Sequence, residues 1–306
     1  MKLLTFAHDN STRLGALLDD GKVIDLTQAW SQHPHALSQS PAPRQAGDII
    51  DLGDAAIAAL DSLLEQAQAS GHPQAVEAAG LTILAPIPRP RKNIFCVGRN
   101  YRAHIVEGNL ARGQPADQMP KAMEIFSKPP TAVSGHNARV SRHGQISKLL
   151  DYEIELGIVI GKAGRDIRPE DALDHVFGYT IVNDITARDL QALHGQWFKG
   201  KSLDGTCPIG PVITLARAIP APNALSLELE INGEKRQSAN TSDMLFDIPA
   251  IIAILSQGMT LEPGDIIATG TPSGVGLSFK PPRSLEAGDT IKARIESIGE
   301  LVTHIV

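Results

Sequence analysis

The chain has 306 residues, 42% hydrophobic and 20% charged, an ordinary globular composition with enough apolar material for a large core. A formal net charge of −6 removes any general electrostatic drive toward nucleic acid or an anionic membrane, and no run of clustered Lys and Arg overrides it. The two cysteines, Cys96 and Cys207, read as reduced core residues. The start MKLLTFAHDN lacks a signal peptide's apolar stretch, and no segment approaches the roughly 20 apolar residues of a spanning helix. These features predict a cytoplasmic protein with neither membrane nor nucleic-acid partners.

Met1 to Leu26 alternates apolar and polar residues around His8-Asp9-Asn10 and Asp19-Asp20-Gly21, which predicts short strands joined by hairpins. A Pro- and Ser-rich loop is expected from His33 to Arg44. Ile49 to Ala69 carries Ile57, Leu60, Leu63 and Leu64 at helical spacing. Between Ala85 and Arg91 stand three prolines, which no helix can cross, so an interdomain connection is expected there. The division is a small N-terminal α+β domain, residues 1–88, followed by a larger domain, residues 89–306.

In the larger part strands dominate: Asn93 to Val97, Tyr152 to Ile160, Phe177 to Val182, Ile266 to Thr269, and the tail Thr290 to Val306. Leu225 to Ile231 alternates up to Asn232-Gly233, a strong hairpin dipeptide. Helices are expected over Ala103 to Leu110, Ala187 to His194, and Ile248 to Leu255, the last with Asp247 as N-cap and Pro249 in its first turn. The chain shows no internal repeat. The fold class is α+β and β-dominated.

The most informative stretch is LDYEIELGIVIGK. Side chains alternate along a strand, so Glu153 and Glu155 share a face while Tyr152, Ile154 and Leu156 share the other. Two carboxylates side by side on an apolar strand repel unless a positive charge lies between them, and a hard divalent cation prefers such oxygen ligands. Asp184 ends the run FGYTIVN and joins them if the two strands are neighbours. The other reading makes the glutamates a solvated face and Asp184 the cap of the next helix.

Four blocks in this order and spacing (LDYEIELGIVIGK, GYTIVNDITARDLQ, KGKSLDGTCPIGP and IIATGTPSGVG) resemble the fumarylacetoacetate hydrolase superfamily. NIFCVGRNYRAHIVE and INGEKRQSANTSDM agree as well, so the resemblance covers roughly residues 90 to 306. It implies a catalytic domain of mixed, curled β-sheets forming a roll or barrel, and a homodimer. It also implies Mg²⁺ or Mn²⁺ held by Glu153, Glu155 and Asp184, and a small 2-oxo or 2-hydroxy acid substrate.

The resemblance implies roles for further residues. Lys201 matches a lysine that faces the site, where its ammonium would bind the substrate 2-oxygen; a lone lysine is otherwise a surface residue. His104 and Glu107 are three apart, hence on one helix face, and match a His-x-x-Glu pair in which the carboxylate raises the basicity of the ring. The same spacing also suits an ordinary helical ion pair. Gln191 and Thr271 match substrate-binding positions, and Lys128 lies in a block near the pocket. Arg188 and Asp189 are expected to form supporting salt bridges.

Within the family one enolate serves several reactions. Water addition makes an acylpyruvate C–C hydrolase, the activity expected here; loss of CO₂ makes an oxaloacetate-type decarboxylase; proton movement alone makes an isomerase or tautomerase. A binding protein without activity would lack a ligand carboxylate, Lys201 or the His–Glu pair, and this chain retains all of them.

Overall fold

Strand-forming runs rich in Ile, Val and Leu make most of the scaffold, as the computed structural model of residues 1–32, 37, 39–71, 75–111 and 113–306 shows. The chain begins with β1 (Lys2–His8), β2 (Ser11–Leu17) and β3 (Lys22–Asp25), then α1 (Leu26–Gln32), α2 (Ala46–Leu52) and α3 (Asp54–Ala69). Next come β4 (Val76–Glu77), β5 (Thr82–Leu84), β6 (Ile94–Gly98), α4 (Arg102–Ala111) and β7 (Glu124–Lys128). The middle holds β8 (Val133–Ser134), β9 (Ala138–Val140), β10 (Leu150–Asp151), β11 (Ile154–Ile160), β12 (Val176–Asn183) and β13 (Thr186–Ala187). The helices α5 (Arg188–Leu193) and α6 (Phe198–Lys201) precede β14 (Cys207–Leu215), β15 (Ser226–Ile231) and β16 (Glu234–Asn240). The chain closes with α7 (Ile248–Ser256), β17 (Ile266–Ala268), β18 (Thr290–Ile295) and β19 (Gly299–Ile305).

Among the described residues twelve strands share one sheet, ordered β4-β3-β2-β1-β14-β12-β11-β17-β6-β7, with β5 on β1 and β8 on β14. A second sheet runs β16-β15-β18-β19-β9, and β10 pairs with β13. Strand β11 is central: it pairs antiparallel with β12 and with β17, and every one of its residues is buried. That is why its sequence is a continuous apolar run beyond Glu155. Leu156, Ile158 and Ile160 enter one core, shared with Leu227, Leu229, Ile291 and Ile295 of the second sheet. Val159 enters the other core, on the opposite face.

The N-terminal elements build that second core. Trp30, Ile49, Leu60 and Leu63 from α1–α3 pack with Val159, Val182, Ile213 and Ile266 of the large sheet. Strand β1 pairs with β14, Leu3 opposite Ile213, so residues 1–88 extend the sheet of the remainder. The proline segment is extended as its sequence requires, yet it is packed: Ala85 and Ile87 are buried, and the Thr5 hydroxyl donates to the Pro86 carbonyl at 2.7 Å.

Several local expectations change in detail. The helix expected over Ile49–Ala69 is two helices, broken at Gly53, whose φ of 71° is the left-handed region that ends α2. The strand-like tail is a hairpin, β18 and β19, turning at Ser297 with φ of 64°. The hairpin after Ile231 forms as its dipeptide demands, Asn232 and Gly233 both taking positive φ. Asp247 caps α7, accepting the Ala250 N–H at 2.9 Å. Of the loop expected over His33–Arg44, residues 33–36 and 38 lie outside the described residues. No helix among the described residues is long and apolar enough to cross a membrane.

Candidate active site

The register of β11 on β12 sets Ile154 opposite Asn183, and the Asp184 N–H donates to the Glu153 carbonyl at 2.8 Å. One carboxylate oxygen from each of Glu153, Glu155 and Asp184 then lies within 4.8 Å of the others, all three side chains buried. Neither a solvated strand face nor a helix cap describes them; the N-cap of α5 is Ala187. Lys201, only 2% exposed, places its Nζ 2.8 Å from Glu153 Oε2 and 2.6 Å from Asp184 Oδ2. Its ammonium also lies 4.7 Å from the centre of the Phe126 ring.

Two further cations reach the cluster: Arg188, which also lines the cavity described below, and Lys128, which does not. Lys128, fully buried, contacts Asp184 Oδ1 at 2.7 Å and donates to the Ile185 carbonyl at 3.0 Å. Arg188 bridges Asp151 Oδ2 at 2.8 Å and Glu153 Oε1 at 2.6 Å. Four carboxylates (Asp151, Glu153, Glu155, Asp184) thus gather around three cations (Lys128, Arg188, Lys201). Glu155 is left with a backbone partner, the Gly270 N–H at 2.7 Å. Burial, then the charges of Asp184 and Glu153, push its carboxyl well above the usual range. Burial also opposes ionisation of Glu153, but Lys201 and Arg188 overcome it and hold that carboxyl below the usual range. An all-oxygen cluster in which Glu155 has no cationic partner among the described residues suits a divalent cation such as Mg²⁺ or Mn²⁺.

His104 and Glu107 come together on α4, His104 Nδ1 lying 3.3 Å from Glu107 Oε2. Glu107 Oε1 accepts the Gly274 N–H at 2.9 Å. Burial works against the Glu107 charge, but His104, the Ser278 hydroxyl and the Gly274 N–H together hold its carboxyl below the ordinary 4.5.

A cavity of about 310 Å³ joins these groups, lined by His104, Glu107, Glu153, Glu155 and Lys201 and also by Gln191 and Thr271. The Gln191 Oε1 accepts from Arg188 Nη1 at 3.3 Å, and Thr271 Oγ1 accepts from Gln237 Nε2 at 2.9 Å. Lys128, expected among the substrate-binding residues, is not one of the residues lining the cavity; it sits fully buried against Asp184, where it can orient that carboxylate. Asp189 makes no salt bridge among the described residues; it accepts from the Ser147 hydroxyl at 2.6 Å and the Lys148 N–H at 2.7 Å.

Sequence reasoning overlooked four contributors. Asp151 and Gln237 orient Arg188 and Thr271 from within the core. Phe126 and Trp197 form an aromatic wall, edge to face at 5.5 Å. The Trp197 ring lies over Gly98, where any Cβ would collide with it, so the glycine closing β6 is a steric requirement of that wall. A glycine ending a strand next to the site block was the signal available for it.

Residues 93–306 match the family described as fumarylacetoacetate (FAA) hydrolase C-terminal. The chain belongs to the fumarylacetoacetate hydrolase superfamily, with an α+β fold of mixed sheets. It is 46% identical to oxaloacetate tautomerase YisK of Bacillus subtilis over 308 residues, covering 100% of both chains. Among solved structures it resembles a fumarylacetoacetate hydrolase from Exiguobacterium antarcticum, with 39% identity and a TM-score of 0.77, covering 100% of this chain and 99% of the other. It also resembles maleylpyruvate hydrolase from Sphingobium sp. SYK-6, solved with manganese(II) and pyruvate, with 32% identity, a TM-score of 0.74 and coverage of 100% and 99%.

Proposed function

We propose that the protein is a divalent-cation-dependent enzyme that interconverts the keto and enol forms of oxaloacetate or a closely similar 2-oxo diacid. The observation that carries this reading is one cavity in which a proton-accepting pair, a buried ammonium and two carboxylates of the triad, Glu153 and Glu155, face the same space, with a carboxylate oxygen of Asp184 within 4.8 Å of theirs. Full-length similarity to oxaloacetate tautomerase YisK supports the choice of substrate.

A cation held by Glu153, Glu155 and Asp184 supplies Lewis-acid polarisation of a 2-oxo acid. With Glu107 on Nδ1, His104 has Nε2 available to take the proton at C3. As that C–H bond breaks, its electrons form the C2–C3 double bond and negative charge gathers on the 2-oxygen. The Lys201 ammonium, fixed in a nearly water-free position, stabilises that charge. Return of that proton from His104 to the 2-oxygen gives the enol and restores the neutral ring, and the reverse path returns the ketone. Thr271 and Gln191 line the cavity where they can bind the acid's carboxylate.

C–C hydrolysis of an acylpyruvate is the second reading. It is favoured by the intact His104–Glu107 pair, which can equally deprotonate water, and by the likeness to maleylpyruvate hydrolase. The test is a panel of oxaloacetate, short acylpyruvates and a 2-hydroxy-dienoate with Mn²⁺ or with EDTA. The expected result is Mn²⁺-dependent acceleration of oxaloacetate keto–enol equilibration, read by enol absorbance, without CO₂ release. Acylpyruvate cleavage with no effect on that equilibration would overturn the first reading in favour of the second.

A further inference from the structure

Asp151 is fully buried and does not line the cavity, yet its carboxylate is saturated with partners. Its Oδ1 accepts the backbone N–H of Gly276 at 2.6 Å and of Tyr152 at 2.9 Å. Its Oδ2 accepts Arg188 Nε at 2.8 Å and the Leu277 N–H at 3.0 Å. Two of these partners lead to opposite sides of the site. Arg188 continues to Glu153 Oε1 at 2.6 Å. The segment from Gly274 to Ser278 continues to Glu107, through the Gly274 N–H at 2.9 Å. Gly276 permits the close approach, since a Cβ there would lie 2.7 Å from Asp151 Oδ1 and would collide with the Arg283 carbonyl.

We propose that Asp151 is a positioning residue that couples the carboxylate triad to the His104–Glu107 pair, acting through Arg188 on one side and through the Gly276 and Leu277 amides on the other. The inference rests on the reading of the triad as a cation site and of the pair as the proton acceptor. Arg188 is shared between two carboxylates. With Asp151 replaced by asparagine, the Arg188 guanidinium has Glu153 as its one carboxylate partner and competes there with a divalent cation. The two loop amides meanwhile exchange a charged acceptor for a neutral one, and a charge-assisted hydrogen bond is roughly twice as strong as a neutral one. The loop then holds Glu107 less firmly.

The experiment compares Asp151→Asn, Arg188→Gln and the double variant with the wild type, using two readouts that need no turnover. One is Mn²⁺ affinity by titration calorimetry; the other is hydrogen exchange of residues 274–278 and α4. Asp151→Asn should weaken Mn²⁺ binding about tenfold and speed exchange at the loop and helix together. Arg188→Gln should leave the loop protected, because Asp151 still accepts its amides. In the Arg188→Gln background, Asp151→Asn should lose most of its effect on Mn²⁺, since the path to Glu153 is already cut. A full Mn²⁺ effect in that background, which through-space charge would produce, overturns the proposal, as does wild-type exchange at 274–278 in Asp151→Asn. If Asp151→Asn does not fold, Asp151→Glu, which retains the charge one methylene further out, must shift both readouts together or the proposal fails. A wild type that binds no Mn²⁺ would instead refute the triad reading, a result told apart because the loop exchange is still measured.

Discussion

Replacing Lys201 with methionine keeps most of the side-chain volume and removes the charge that stands between two triad carboxylates. The ammonium lies 2.8 Å from Glu153 and 2.6 Å from Asp184, almost out of reach of solvent. Deleting one partner of a buried ion pair costs about 3–5 kcal/mol, because the charge left behind has lost its compensation. Lys128 still touches Asp184 and Arg188 still touches Glu153, so the cation-free variant should lose about 3 kcal/mol, the lower end of that range. Mn²⁺ brings positive charge to the same carboxylates and should restore part of the loss. Each 1.4 kcal/mol restored appears as roughly tenfold tighter Mn²⁺ binding than in the wild type. Activity should move the other way, with kcat falling about 10²–10³-fold and KM changing less, because the lost contact strengthens as charge builds on the 2-oxygen. Urea melts with and without Mn²⁺, calorimetry and steady-state kinetics read the three effects. Unchanged stability and unchanged Mn²⁺ affinity would refute the charge-balance argument; unchanged kcat would remove Lys201 from the chemistry.

His104→Ala and Glu107→Gln should each lower kcat by about 10²–10⁴-fold while leaving Mn²⁺ binding intact, and a loss under about tenfold in both would exclude the pair as proton acceptor. Glu107 also makes a pH prediction. Its carboxyl is held below the ordinary 4.5 in the folded protein, so its contribution to stability is fully present above that value and lost as pH falls through the lower folded one. The stability gap between wild type and Glu107→Gln should therefore shrink in urea melts taken from about pH 6 down to about pH 3; a gap independent of pH would contradict it.

Much of the site was legible because its determinants are local. Strand alternation alone puts Glu153 and Glu155 on one face, and three-residue helical spacing alone puts His104 beside Glu107. Asn232-Gly233 and Asp247 mark a hairpin and a helix start through backbone preferences that no distant residue overrides. Motif similarity, not spacing, pointed to Lys201, which the structure buries against the triad rather than leaving at the surface.

What only the tertiary structure decided is which distant groups meet. The pairing of β11 with β12 brings Asp184 to Glu153, and β1 on β14 joins the first residues to the large sheet. Lys128 was expected among the substrate-binding residues because its sequence block lies near the pocket; the pairing of β6 with β7 is what sets it, fully buried, against Asp184. Asp151 stands two residues before Glu153, just ahead of the strand read from the sequence, yet beyond the adjacent Tyr152 N–H its partners lie 37, 125 and 126 positions away. Periodicity and turn residues act over a few bonds and specify elements. A buried charge is satisfied by whatever the packed core brings within hydrogen-bonding distance, and that depends on the whole arrangement of sheets and loops at once.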